Sequence, residues 1–73
     1  MTAKEMFEKL GFEEVITQGF VEYDIFDFEH STATISFNKD KQTVECFSFD
    51  DAMEIDMDVI NAIMQQCKEL GWI

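Results

Sequence analysis

Apolar residues near the end of the chain recur at the three- and four-residue spacing of a helix. This spacing predicts an amphipathic helix that Asp56 caps at its start. Gly71 is placed to end the helix, so that Trp72 folds back over the last turn. The predicted core face of this helix consists of Ile60, Ile63, Met64, Cys67 and Leu70.

The start of the chain repeats this design on a smaller scale. Thr2 and Glu5 have the spacing of a capping box, and Gly11 is placed to end a short helix at Leu10. The predicted core face of this first helix consists of Ala3, Met6, Phe7 and Leu10.

Between the two helices apolar and polar residues alternate, as they do in half-buried strands. The alternation predicts strands at 12–17, 20–28, 32–38 and 42–49, with turns at 29–31 and 38–41. Such short connections favour antiparallel pairing. We therefore predict one α+β domain over residues 1–73, in which both helices pack on one face of an antiparallel sheet of three or four strands.

Several phenylalanines have the strand parity of the polar residues. Phe26 and Phe28, for example, share the parity of Glu22 and Asp24. An aromatic patch on the sheet face away from the helices explains this, and exposed apolar patches mark interaction sites. Two such faces would pair as a homodimer, whereas a bulge would turn the rings inward. The candidate interaction residues are Phe20, Phe26, Phe28, Phe47 and Phe49.

The charge of the chain limits its partners. Sixteen acidic residues against five basic ones give a formal net charge of −11, and all five basic residues are lysines. This excludes direct binding of nucleic acid and disfavours anionic membranes. The acids either keep the protein soluble or mimic nucleic-acid phosphate towards a basic groove of a host protein. The candidate acidic surface consists of Asp24, Asp27, Glu29, Asp50, Asp51, Glu54 and Asp58.

The sequence carries no motif of catalysis or metal binding. Cys46 and Cys67 lie far apart, and His30 is the only histidine. The acids lack the spacing of a calcium-binding EF-hand loop. We expect no catalytic, cofactor or metal site, because a small metal-dependent enzyme would need a pocket that 73 residues hardly provide. The start has no secretory signal pattern, so we expect a cytoplasmic protein.

Both ends of the chain resemble small proteins of unknown function from prophages and mobile elements of Gram-positive bacteria. The resemblance rests on residues 2–12 (TAKEMFEKLGF) and 60–72 (INAIMQQCKELGW). It implies a bacterial cytoplasmic setting and a role in host interaction, and it brings no activity or site residue with it. The sequence thus predicts a non-enzymatic protein-interaction module, with a homodimer through the aromatic face as one form of it.

Overall fold

The computed structural model describes residues 1–27, 30–48 and 54–73. Within these ranges the strands form one antiparallel sheet in the order β1-β2-β3-β4, and both helices lie on the same face of it. The predicted α+β fold is therefore confirmed. The elements are α1 (Ala3–Lys9), β1 (Glu13–Thr17), β2 (Phe20–Asp27), β3 (His30–Asn38), β4 (Thr43–Ser48) and α2 (Met57–Glu69).

The helix ends form as their sequence signals predict. The Thr2 hydroxyl accepts a hydrogen bond from the backbone N–H of Glu5, and the Glu5 carboxylate accepts one from the N–H of Thr2. These bonds to Thr2 lower the pKa of Glu5. Asp56 caps α2 by accepting from the N–H of Val59 at 2.9 Å. Gly71 has a φ of 77°, the left-handed conformation that glycine adopts most readily at a helix end.

The core is built on an aromatic stack between the first helix and the sheet. The Phe7 ring of α1 lies parallel to the Tyr23 ring of β2, with centroids 4.0 Å apart. Phe12 and Phe37 pack edge-on against Phe7, and Trp72 packs on Phe37 from beyond the end of α2. The stack joins both chain ends to the central strands.

A buried polar link connects the sheet to α2. The Tyr23 hydroxyl lies within hydrogen-bonding distance of the side-chain oxygens of Gln66 on α2 and Glu14 on β1. Burial and the nearby carboxylates, Glu14 first among them, raise the pKa of Tyr23, so the phenol stays protonated. In addition, the Glu69 carboxylate accepts a bond of 2.7 Å from the N–H of Ala3, which ties α2 to the start of α1.

The predicted core face of α2 is wrong in its orientation. Ile60 and Met64 are exposed, although Ile63, Cys67 and Leu70 do pack against the core. The buried positions are instead Val59, Ala62 and Gln66. Ala62 is buried on the part of α2 that approaches α1, and Gln66 of the same helix face meets the Tyr23 hydroxyl.

The predicted turn at residues 29–31 is also misplaced, because β3 already begins at His30. The register between β2 and β3 shifts after Ile25: Ile25 pairs with Ala33, whereas Phe26 pairs with Ser31. The extra residue of this bulge, Thr32, therefore lies on β3. Because β2 itself stays regular, the side-chain parity from Phe20 to Phe26 is preserved.

Replacing Phe7 by alanine tests the aromatic stack. Phe7 is fully buried, so Phe7→Ala should lower the free energy of unfolding by about 3–5 kcal/mol, measured by urea denaturation. Phe20→Ala is the control, because Phe20 is 39% exposed and its loss should cost only about 1–2 kcal/mol. Equal losses in the two variants would contradict this placement of the core.

Removal of the Tyr23 hydroxyl tests the polar link. Tyr23→Phe leaves the buried Gln66 amide without this partner and should cost roughly 1–3 kcal/mol of unfolding free energy. The double variant Tyr23→Phe/Gln66→Met removes both polar groups and should recover part of the loss in thermal or urea unfolding. Additive losses in this double-mutant cycle would show that the two side chains are not coupled.

Candidate functional site

The sheet face opposite the helices, called here the open face, is formed by alternate residues of the four strands. Cross-strand pairing arranges these residues in rows. The first row contains Phe20, between Thr17 and Asn38. The last described row contains Phe26, paired with Ser31. The apolar core residues of the strands, against which both helices pack, all have the opposite parity. Two polar residues of the open face, Asp24 and Ser36, are also buried.

Three of the five candidate phenylalanines are exposed on the open face. Phe20 is 39% exposed, Phe26 49% and Phe47 48%. The inward turn that a bulge would have produced does not occur at these three positions. Phe20 and Phe26 lie at opposite ends of β2, roughly 20 Å apart for six residues of strand, and Phe47 lies on the edge strand β4. Among the described residues, the rings therefore form a rim and not one continuous patch.

Acidic residues occupy the middle rows of the open face. In one row Glu22 and Glu45 flank Ser36 on either side. In the next row Glu13 pairs with Asp24 across the β1–β2 ladder. Since neighbouring strands lie about 4.8 Å apart, the Glu22 and Glu45 backbones are separated by roughly 10 Å. The open face thus combines an acidic centre with an aromatic rim.

Asp24 differs from its prediction as an exposed acid. It is only 6% exposed, and its carboxylate accepts a hydrogen bond of 2.5 Å from the Thr34 hydroxyl. Asp24 lies on the central strand β2, with a neighbouring strand on either side. The Asp24 carboxyl group therefore lies beneath the exposed side chains of the open face and not among them.

Glu22 is affected by this neighbour. Partial burial raises the pKa of Glu22 first, and the charge of Asp24 and a hydrogen bond to it raise the pKa further. Ionised Glu22 is therefore less stable here than in water. A cation placed beside it would relieve the effect, because an opposite charge favours the carboxylate form.

The remaining candidate acids do not join this site. Glu54 and Asp58 are exposed, and Asp58 lies in the first turn of α2 on the helix side of the sheet. Asp27 belongs to β2, but its side chain falls outside the described part of the structure. The other candidates outside the described residues are Phe28, Glu29, Phe49, Asp50 and Asp51.

The helix side of the molecule has a small groove of about 260 Å³ between α1 and α2. The side chains that line it are Met1, Met6, Lys9, Leu10, Asp58 and Asn61.

Burial raises the pKa values of both cysteine thiols, although Cys46 is exposed and Cys67 only half-buried. Among the described residues, no three Asp, Glu, His or Cys side chains are grouped to hold a metal ion. None of the helices in this part of the chain has the length and apolarity needed to cross a membrane.

Glu13, Glu22 and Glu45 of the site are absent from the predicted acidic surface. Glu22 shares its strand and parity with Phe20 and Phe26, and Glu45 shares its strand and parity with Phe47, so the alternation that selects the rings also selects these two acids. Glu13 is placed on the open face by its pairing with Asp24. The predicted acidic surface follows clusters along the chain instead. Cross-strand neighbours lie far apart in sequence, and such clusters do not find them.

No family model, curated protein or solved structure is detectably similar to this chain. The resemblance to prophage proteins stays a prediction.

Replacing Glu22 by glutamine tests the electrostatics of the site. Because the folded-state pKa of Glu22 is raised, its protonated form favours folding below the unfolded-state pKa, and this contribution is lost as pH rises through the folded value. Glu22→Gln should therefore be more stable than the native chain at pH 7. Urea denaturation should show a free energy of unfolding higher by at most about 1 kcal/mol, because solvent screens the interaction. Near pH 3 the difference should vanish.

Glu54→Gln is the control for the general effect of removing one negative charge from a protein of net charge −11, because Glu54 is exposed and lies outside the open face. Equal stabilisation by both variants across the pH range would mean that Glu22 has no local interaction with Asp24.

Proposed function

We propose that this chain is a small, non-enzymatic protein-interaction module that binds a protein partner through the open face. The observation that carries the proposal is the exposure of Phe20, Phe26 and Phe47 on a sheet face that neither helix covers. Large aromatic side chains supply much of the binding energy where proteins meet, because they bury a large apolar area.

Core packing does not account for these three rings. The core lies on the other side of the sheet, where Phe7, Tyr23 and Phe37 are fully buried. Rings on the open face leave apolar surface in water, and each square ångström that a partner covers is worth about 25 cal/mol. Contact with a partner would therefore recover a favourable term that folding leaves unused.

The alternative function, an acidic inhibitor that mimics nucleic acid, depends on other groups. Its binding would rest on the carboxylates and would weaken steeply with salt, because the attraction between exposed charges is screened. An aromatic interface would instead depend on the phenylalanines and would survive added salt. The two proposals are therefore separated by substitution and by ionic strength.

The test is affinity capture from a lysate of the organism that encodes the chain, at about 50 and about 500 mM salt. The immobilised native chain is compared with Phe26→Ser/Phe47→Ser. The control variant is Met57→Ser/Met64→Ser, which removes two exposed apolar side chains of α2 outside the open face. We expect a protein that the native and control chains retain at both salt concentrations and that the phenylalanine variant loses.

Equal retention by all three chains, or no retained protein, would overturn the proposal. Capture that ignores the phenylalanines and disappears at high salt would favour the nucleic-acid mimic. Circular dichroism of each variant before capture shows that loss of binding is not loss of fold. All four substituted side chains are exposed, so each variant is expected to fold.

A further inference from the structure

The charges on the open face limit the chemistry of a partner that could bind there. Glu22 and Glu45 flank Ser36 in the middle of the face; Phe20 lies one row away on one side, and Phe47 and then Phe26 lie in the next rows on the other side. We propose that the partner inserts a cationic side chain, arginine or lysine, over this acidic centre while apolar groups beside it contact the phenylalanine rim. This inference rests on the proposed function and specifies the chemistry of the partner.

Charge complementarity indicates that the partner brings a cationic side chain. The described residues of the open face include Glu13, Glu22, Asp24 and Glu45, and no lysine is among them. Carboxylates that enter an interface lose hydration, and this loss is offset only where an opposite charge meets them. An uncharged apolar partner would bury these acids without compensation, whereas a guanidinium or ammonium group would neutralise them.

Among these acids, Glu22 is the best placed to bind a cationic side chain. Its carboxyl lies beside the buried carboxylate of Asp24, so two like charges share one part of the face. A cation above Glu22 would interact favourably with both carboxylates. The nearby phenylalanine rings also favour a cation, because the face of an aromatic ring is electronegative.

A second copy of the chain fits the open face less well. Each copy carries a net charge of −11, and pairing two open faces would place acid against acid. The area is also small: four strands about 4.8 Å apart and six residues long outline roughly 400 Å². Stable interfaces bury roughly 800 Å² on each partner. Strong local contacts such as ion pairs must therefore supplement the area.

The experiment uses a defined probe, the peptide acetyl-Trp-Arg-Leu-Arg-Trp-amide. Its control replaces both arginines by citrulline, which keeps the shape and removes the charge. Binding to the full-length chain is followed by ¹H–¹⁵N correlation spectra during titration. We expect shifts concentrated on β2 and β4 at open-face positions, and affinity lowered about tenfold or more for the citrulline peptide.

Two double variants of equal charge separate a specific site from general attraction to an acidic protein. Glu22→Gln/Glu45→Gln removes the proposed contacts, and Glu54→Gln/Asp58→Asn removes two exposed acids elsewhere. The first should lower peptide affinity about fivefold or more and the second less than about twofold. Glu45→Gln alone, on an exposed edge position, should give an intermediate loss.

Equal binding of the arginine and citrulline peptides, or equal losses in the two double variants, would overturn the inference. Either result leaves the proposed function standing if capture from the lysate still depends on Phe26 and Phe47. Conversely, if Phe26→Ser/Phe47→Ser changes neither capture nor peptide binding, the proposed function and the inference both fail.

Discussion

Tyr23 is the residue on which the two layers of this fold depend. Its ring stacks on Phe7 of the first helix, and its hydroxyl meets Gln66 of the second helix and Glu14 of the edge strand. One side chain thus joins α1, α2, β1 and β2. Because all these contacts lie on one side of β2, they fix both helices on that side and leave the other face of the sheet open.

The elements themselves could be predicted from the sequence because their signals are local. Caps such as Thr2 and Asp56 act within one helical turn, and the alternation along β3 needs only its own residues. The exposure of Phe26 also followed from parity, because β2 stays regular past Ile25 and the extra residue of the bulge falls on the facing strand. Local rules therefore gave the fold class and three of the aromatic positions.

The features that could not be predicted depend on contacts between distant segments. Hydrophobicity alone placed Ile60 and Met64 in the core, but α2 buries Ala62 and Gln66 instead, and Gln66 meets a phenol 43 residues earlier. Asp24 likewise finds its partner, the Thr34 hydroxyl, on the neighbouring strand. The alternation of residues along one strand does not identify the residues with which they pair on the next strand.

The separation of core and open face explains how the chain can combine a small core with a high charge. A domain of this size buries only roughly 60% of its unfolded surface, so it has little stability to spare. Acids on the open face lie outside the apolar core, while like charges discourage two such faces from meeting. The phenylalanines at the rim have no corresponding role in folding. A partner that brings both a cation and an apolar surface would neutralise the acids and cover the rings at the same time. The acidic centre and the aromatic rim would then act as one binding surface.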